Sequence, residues 1–170
     1  MTKDKMKTHY KIIFCDLDDT LIKTHTGETF PKGVWDMEFK YEVWDKIKEL
    51  TPEYLFIITN QGGIGQFVNK ERFEDKVAYV ASAIKEYCEI PIVDWTYCDS
   101  VDKNDPYRKP NTGMATTLFL TNKLLINEDF SKSDCLMIGD ASGKPSDFSD
   151  SDKKFAENLK IDYIDVDELL

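Results

Sequence analysis

Hydrophobic positions along the chain alternate between short continuous runs and longer stretches with helical spacing. Ile12-Ile13-Phe14-Cys15 is an uninterrupted apolar run, the pattern of a strand buried on both faces. Tyr54 to Thr59, Ile92 to Cys98, Leu136 to Gly139 and Tyr163 to Val166 read as four more strands. Between the runs the period changes. Tyr41 to Leu50 puts Val43, Trp44, Ile47 and Leu50 on one side, and Thr51-Pro52 closes that helix. Asn69 stands where it can cap a long helix whose apolar residues Phe73, Val77, Val80, Ala81, Ile84 and Cys88 return mostly at steps of three and four. Thr112 to about Leu125 and Ser149 to Leu159 read as two further helices, the second with Phe155, Ala156 and Leu159 inward. Alternation of strand and helix predicts an α/β fold, a mostly parallel sheet with Rossmann-like layering and helices covering it. Lys23 to Asp36 and Asp99 to Tyr107 carry the least pattern.

Composition narrows the class. With 170 residues, the expectation is one domain over residues 11–170, preceded by a polar tail over residues 1–10. A hydrophobic content of 41% and a charged content of 32% predict a folded chain. Cys15, Cys88, Cys98 and Cys135 form no C-x-x-C pair, and His9 and His25 are the only histidines, so neither a zinc site nor a disulfide framework is indicated. The apolar runs are too short to span a bilayer, and Met1 to Lys7 lacks an apolar signal region. The expected location is cytoplasmic, or nuclear in a eukaryote. A net charge of −10 argues against a tight nonspecific nucleic-acid binder and leaves open an enzyme that grips one strand end.

The residues with chemistry collect where strands are expected to end, which is where open α/β sheets bind ligands. Asp16-Leu17-Asp18-Asp19-Thr20 follows the first strand. One carboxylate there can attack a phosphorus atom, a second can carry a proton, and together they invite a divalent cation. An acidic turn is the plainer alternative. After the second strand, Thr59-Asn60-Gln61-Gly62-Gly63-Ile64-Gly65 offers a hydroxyl, an amide and exposed backbone N–H groups to a phosphate oxygen, or is simply a turn. After the third, Arg108-Lys109-Pro110 is either a phosphate-neutralising group or a solvated basic pair. After the fourth, Gly139 is expected to let the backbone turn sharply, and Asp140 can face a metal.

Taken in order, the four clusters resemble the four motifs of the haloacid dehalogenase superfamily. The likeness is closer to one branch, the phosphatase domain of polynucleotide kinase 3′-phosphatase. It is carried by Phe14 to Ile22, by Gly27 to Gly33 with Phe30-Pro31, by Thr59 to Gly65, and by Tyr107-Arg108-Lys109-Pro110-Asn111-Thr112-Gly113-Met114. Gly139-Asp140-Ala141-Ser142-Gly143-Lys144-Pro145 and Asp147-Phe148-Ser149 are its more specific segments. The likeness runs from about Lys11 to Leu170. Asp19 stands where many relatives have Gly. The stretch between Lys144-Pro145 and Asp147 is shorter and less basic than in the bifunctional repair enzymes. No Walker A sequence and no Cys/His zinc loop is present.

The resemblance implies a three-layer α/β/α core with only a small cap or flap insertion. It implies that Asp16 is the nucleophile and forms an aspartyl-phosphate, and that Asp18 protonates the leaving oxygen and then activates water. Thr59 and the backbone N–H of Asn60 would bind the phosphoryl group, and Lys109 would neutralise Asp16 and the phosphoryl oxygens. Asp16, the main-chain carbonyl of Asp18, and Asp140 would hold Mg²⁺. Arg108 and Lys144 are candidates for the substrate phosphate or strand, and Asp147 and Asp152 stand as weaker candidates behind the site. The Asp147, Asp150 and Asp152 run otherwise reads as a helix start, where carboxylates suit the dipole. Trp44 and Trp95 are expected in packing roles, while Phe30 and Trp35 could edge the substrate. The function so implied is Mg²⁺-dependent removal of 3′-phosphate from DNA or RNA ends, single strands above all, in end healing. The sequence names no ligase or kinase partner and no oligomeric state. The alternatives are a small-molecule phosphatase of the same fold, acting on a nucleotide, sugar phosphate or histidinol phosphate, and a non-catalytic module that kept the fold.

Overall fold

The computed structural model describes residues 1–28 and 36–170. Five strands form one parallel sheet: β1 (Ile12–Cys15), β4 (Tyr54–Asn60), β5 (Ile92–Cys98), β6 (Cys135–Gly139) and β7 (Asp162–Asp165). Their order across the sheet is β5-β4-β1-β6-β7. The chain therefore builds outward from β1 on one side, then returns to build outward on the other. Such a reversal opens a crevice at the carboxyl ends of the two strands where it occurs, here β1 and β6.

Helices cover both faces, as a wholly parallel sheet requires. Side chains alternate along β1: Ile13 and Cys15 join the core formed with α1 (Tyr41–Glu49) and α2 (Lys70–Cys88), while Ile12 and Phe14 join that formed with α3 (Gly113–Thr121) and α4 (Ser151–Leu159). Phe14 meets Phe56, Phe119 and Phe155 at ring separations of 5.5, 5.7 and 5.8 Å, so one strand residue ties β4, α3 and α4 together. The side chain of Asn69 accepts from the Arg72 N–H and caps α2, as its sequence position predicts. Trp44 is buried and donates from Nε1 to the Leu21 carbonyl, 3.0 Å away, in a packing role.

Several boundaries differ from expectation. The helix expected to reach Leu125 ends at Thr121, because Lys123 turns left-handed (φ 56°) and sends the Leu124 N–H back to the Phe119 carbonyl. The helix expected from Ser149 starts at Ser151. The last strand ends at Asp165, whose side chain caps a short helix, α5 (Val166–Leu169). The stretch with least pattern is flanked by an antiparallel pair, β2 (Ile22–Thr24) and β3 (Met37–Phe39). Buried Asp36 clasps it by accepting from the N–H and hydroxyl of Thr26, both at 2.9 Å. Phe30 and Trp35 lie outside the described residues. Tyr10, within the stretch read as a tail, is fully buried and donates to Asp162. Among the described residues, no helix is long and apolar enough to cross a membrane.

Candidate active site

Strand pairing brings the predicted residues together. Cys15 is in register with Ile138, and the Asp16 N–H continues the ladder to the Ile138 carbonyl at 3.1 Å. Asp16 and Asp140 therefore leave adjacent strand ends at the crevice. Lys109 arrives from the loop after β5. Its main chain is clamped by Asn60, whose Oδ1 accepts from the Lys109 N–H (2.9 Å) and whose Nδ2 donates to the Lys109 carbonyl (3.0 Å). Thus the side chain of Asn60 aims Lys109, while the group expected to meet phosphate is its main-chain N–H.

Lys109 is buried and donates to two carboxylates, Asp16 Oδ1 at 2.9 Å and Asp152 Oδ1 at 2.7 Å. Asp152 is the principal residue that sequence reasoning underrated. It is 1% exposed, and its Oδ2 accepts from the Ala141 N–H. The first turn of α4 lies so close over β6 that a Cβ on Gly139 would come within 2.4 Å of Asp152 Oδ2. Gly139 is thus required for space, and its φ is not left-handed. The expected sharp turn is not its reason. Left-handed backbone occurs instead at Asp19 (φ 60°), a conformation that glycine adopts without strain.

Oxygen atoms of Asp16, Asp140 and Asp152 all lie within 4.8 Å of one another. Burial and the charges of Asp16 and Asp152 push the Asp140 carboxyl up to about 8. Burial lifts Asp152 to about 6 against the opposing charge of Lys109. Burial works against the Lys109 ammonium, but Asp152 and Asp16 outweigh it and hold its pKa above the ordinary value. Three carboxylates and one ammonium leave an excess of negative charge, and the donors are all hard oxygens. That set fits a divalent cation of the Mg²⁺ type.

Asp18 sits apart from this trio. Its Oδ2 accepts from Gln61 Nε2 at 2.8 Å, and its Oδ1 lies 3.7 Å from Lys76 Nζ. The same Gln61 amide donates to Thr59 Oγ1 at 2.9 Å. Gln61 is 4% exposed and couples the proton-carrying candidate to the phosphate-binding candidate. Nothing in its local sequence separates it from any polar residue of a glycine-rich turn, whereas Lys76 projects from α2 one position before Val77 of the apolar stripe.

These groups line a cavity of about 540 Å³ that includes Asp16, Asp18, Thr59, Asn60, Arg108, Lys109, Asp140 and Asp152. Arg108 also donates from Nη1 to the Ser100 carbonyl. Lys144 is absent from this lining. It pairs with Asp165 at 3.0 Å and Asp167 at 3.4 Å, beside a neighbouring cleft. Asp147 stabilises the same loop by accepting from the Ser142 and Lys144 N–H groups.

Comparison with known proteins places this geometry in context. Residues 11–169 match the family model described as polynucleotide kinase 3 phosphatase. A bifunctional polynucleotide phosphatase/kinase of Schizosaccharomyces pombe is 36% identical over 163 residues, covering 94% of this chain and 37% of that protein. The chain thus spans little more than a third of that relative's length. An uncharacterized 20.8 kDa protein of Autographa californica nuclear polyhedrosis virus is 32% identical over 168 residues, covering 94% of this chain and 85% of the viral protein. Among solved structures, a D,D-heptose 1.7-bisphosphate phosphatase from B. bronchiseptica, complexed with magnesium and phosphate, superposes with a TM-score of 0.64 at 16% identity, over 90% of this chain and 78% of that one. This last likeness establishes the fold alone.

Proposed function

The chain belongs to the polynucleotide kinase 3 phosphatase family, and from that premise we propose that it is a Mg²⁺-dependent phosphatase that removes 3′-phosphate from nucleic-acid ends, in end healing. The observation that carries the reading is the clustering of Asp16, Asp140 and Asp152, with buried Lys109 bonded to Asp16 and Asp152 and Asp18 lining the same cavity.

Asp16 is the nucleophile. Lys109 holds its Oδ1, and its Oδ2 carries no hydrogen bond among the described residues. One Asp16 carboxylate oxygen forms a bond to phosphorus as the bond from phosphorus to the 3′ oxygen breaks. Asp18 gives its proton to that leaving oxygen, producing a 3′-hydroxyl. Asp18 then takes a proton from the water that attacks the aspartyl-phosphate, which regenerates Asp16 and releases inorganic phosphate. Gln61 keeps the Asp18 carboxylate pointed at the cavity while Thr59 faces the transferring group. Lys109 offsets phosphoryl charge in a site where carboxylates would otherwise repel it. Asp16, Asp140 and the main-chain carbonyl of Asp18 would hold Mg²⁺, with Asp152 beside them, and the ion supplies further neutralisation of the phosphate monoester.

Asp16→Asn tests the assignment, since the amide is isosteric and a poor nucleophile. Turnover of a 3′-phosphorylated oligonucleotide is expected to fall by at least about 10⁴-fold, a scale reached when a catalytic nucleophile is lost, with the fold intact by circular dichroism. EDTA is expected to abolish wild-type activity and Mg²⁺ to restore it. Wild-type turnover in Asp16→Asn would remove Asp16 from the role.

A further inference from the structure

The three most exposed large apolar side chains among the described residues are Phe148 (90%), Phe67 (81%) and Val101 (72%). They come from three different loops, and each lies in or next to the lining of one cavity. Phe148 lines it directly. Phe67 lies next to Gly63 and Val101 next to Gly62, and both glycines line it. Apolar groups on a small domain's surface are normally scattered, and their collection around one hole marks a binding surface. The sheet order explains the placement. Phe67 follows β4 and Phe148 follows β6, the two strands that flank β1 and its Asp16. At the usual strand spacing, those two loops rise about 10 Å apart.

Resting on the 3′-phosphatase reading above, we infer that Phe148, with Phe67 across the mouth, is the platform on which the terminal bases of the substrate strand stack. The chemistry of the cavity is divided accordingly. Its floor takes an anion: Lys109 is there, and the carboxylates suit a cation. Its rim offers flat apolar faces and one guanidinium, Arg108, which is poor company for a polyhydroxylated sugar and good company for the π-face of a base. Every base has such a face, so the platform requires a base without choosing one. The substrate class is therefore a base-bearing 3′-phosphate end, and sugar phosphates that fit the floor find no partner at the rim.

The test compares a short 3′-phosphorylated oligonucleotide with the same strand carrying an abasic residue at its 3′ end. Wild type, Phe148→Ala, Phe148→Tyr and Phe67→Ala are assayed on both. Phe148 is almost fully exposed, so its removal leaves the core untouched. Wild type is expected to prefer the base-bearing end. Phe148→Ala is expected to shrink that preference about tenfold, through KM, as removal of a stacking aromatic does elsewhere. Phe148→Tyr is expected to retain it, and Phe67→Ala to shrink it by less. An unchanged preference in Phe148→Ala overturns the platform while leaving the phosphatase reading standing. An unchanged preference with loss of a dimer in light scattering overturns it in favour of an interface between two copies. A wild type that turns over small phosphate esters but no 3′-phosphorylated oligonucleotide overturns the phosphatase reading itself, and the platform with it.

Discussion

At the floor of the cavity Lys109 and Asp152 are paired and almost unexposed; beside it Phe148 is apolar and bare. Lys109 and Asp152 are 3% and 1% exposed and lie 2.7 Å apart, whereas Phe148 is 90% exposed and touches solvent on nearly all sides. Buried charges of this kind are costly unless paired, so the floor is fixed by mutual necessity and has little freedom to vary. The rim is under no such constraint. Fold stability does not ask for an exposed phenylalanine, so its presence there speaks to binding. In the reading proposed above, the floor decides which reaction is possible, and the rim decides which molecule arrives.

The comparison is broken most severely at Lys109. Lys109→Met leaves Asp16 and Asp152 without their buried counter-charge, and removal of one partner from a buried pair costs about 3–5 kcal/mol. Urea unfolding is expected to shift by that order, with turnover lost. A variant as stable as wild type would show that solvent already screens the pair.

Next in size is Asp18→Asn. A positioned proton carrier contributes about 10²–10⁴-fold. The loss is expected to be large with a 3′-phosphorylated oligonucleotide, whose leaving sugar hydroxyl needs a proton, and small for the phosphoryl-transfer step with an activated aryl phosphate. Equal losses in that step would reduce Asp18 to a structural role. Gln61→Leu sharpens the same point. It removes the donor shared by Asp18 and Thr59 and is expected to cost about tenfold in kcat, the weight of one such hydrogen bond to a charged group. A loss confined to KM would place Gln61 in substrate binding instead.

The smallest effect is electrostatic and is read in the metal-free protein. The Asp140 carboxyl is raised in the folded state to about 8 by burial and by Asp16 and Asp152. Between its unfolded value near 4 and about 8, the folded chain holds the proton more tightly than the unfolded chain. Stability contributed by that proton is present below pH 4 and is lost as pH rises through 8. Tm is expected to fall by a few degrees over that window, after partial screening at a site that is only half-buried. A Tm that rises through the window would mean that other carboxylates dominate.

Sequence and structure agree where the physics is local and part where it is not. β1, β4, β5 and β6 are legible because their apolar runs are continuous, and Asp16, Thr59, Lys109 and Asp140 follow because each lies at or beyond the end of one strand or its loop. Asp152 is legible as a helix-start carboxylate, a sufficient local explanation for it. Its contact with Lys109 exists only because α4 packs on β6 at Gly139. Lys144 has the opposite history: its motif points to substrate, and its ammonium is held by Asp165 and Asp167 from β7 and α5. Phe148 stands in a motif segment, but its exposure is not legible in sequence, since an apolar residue before a helix ordinarily packs inward. β2 and β3 are three residues each, too short for a period to show.

The central claim, that this site hydrolyses 3′-phosphate at nucleic-acid ends, is tested most directly by one substrate panel. Wild-type kcat/KM is measured on a 3′-phosphorylated oligonucleotide, its 5′-phosphorylated isomer and a sugar phosphate, all with Mg²⁺. The account predicts that the 3′-phosphorylated strand is turned over fastest and the 5′ isomer poorly. A sugar phosphate consumed far faster than any 3′-phosphorylated oligonucleotide would contradict it.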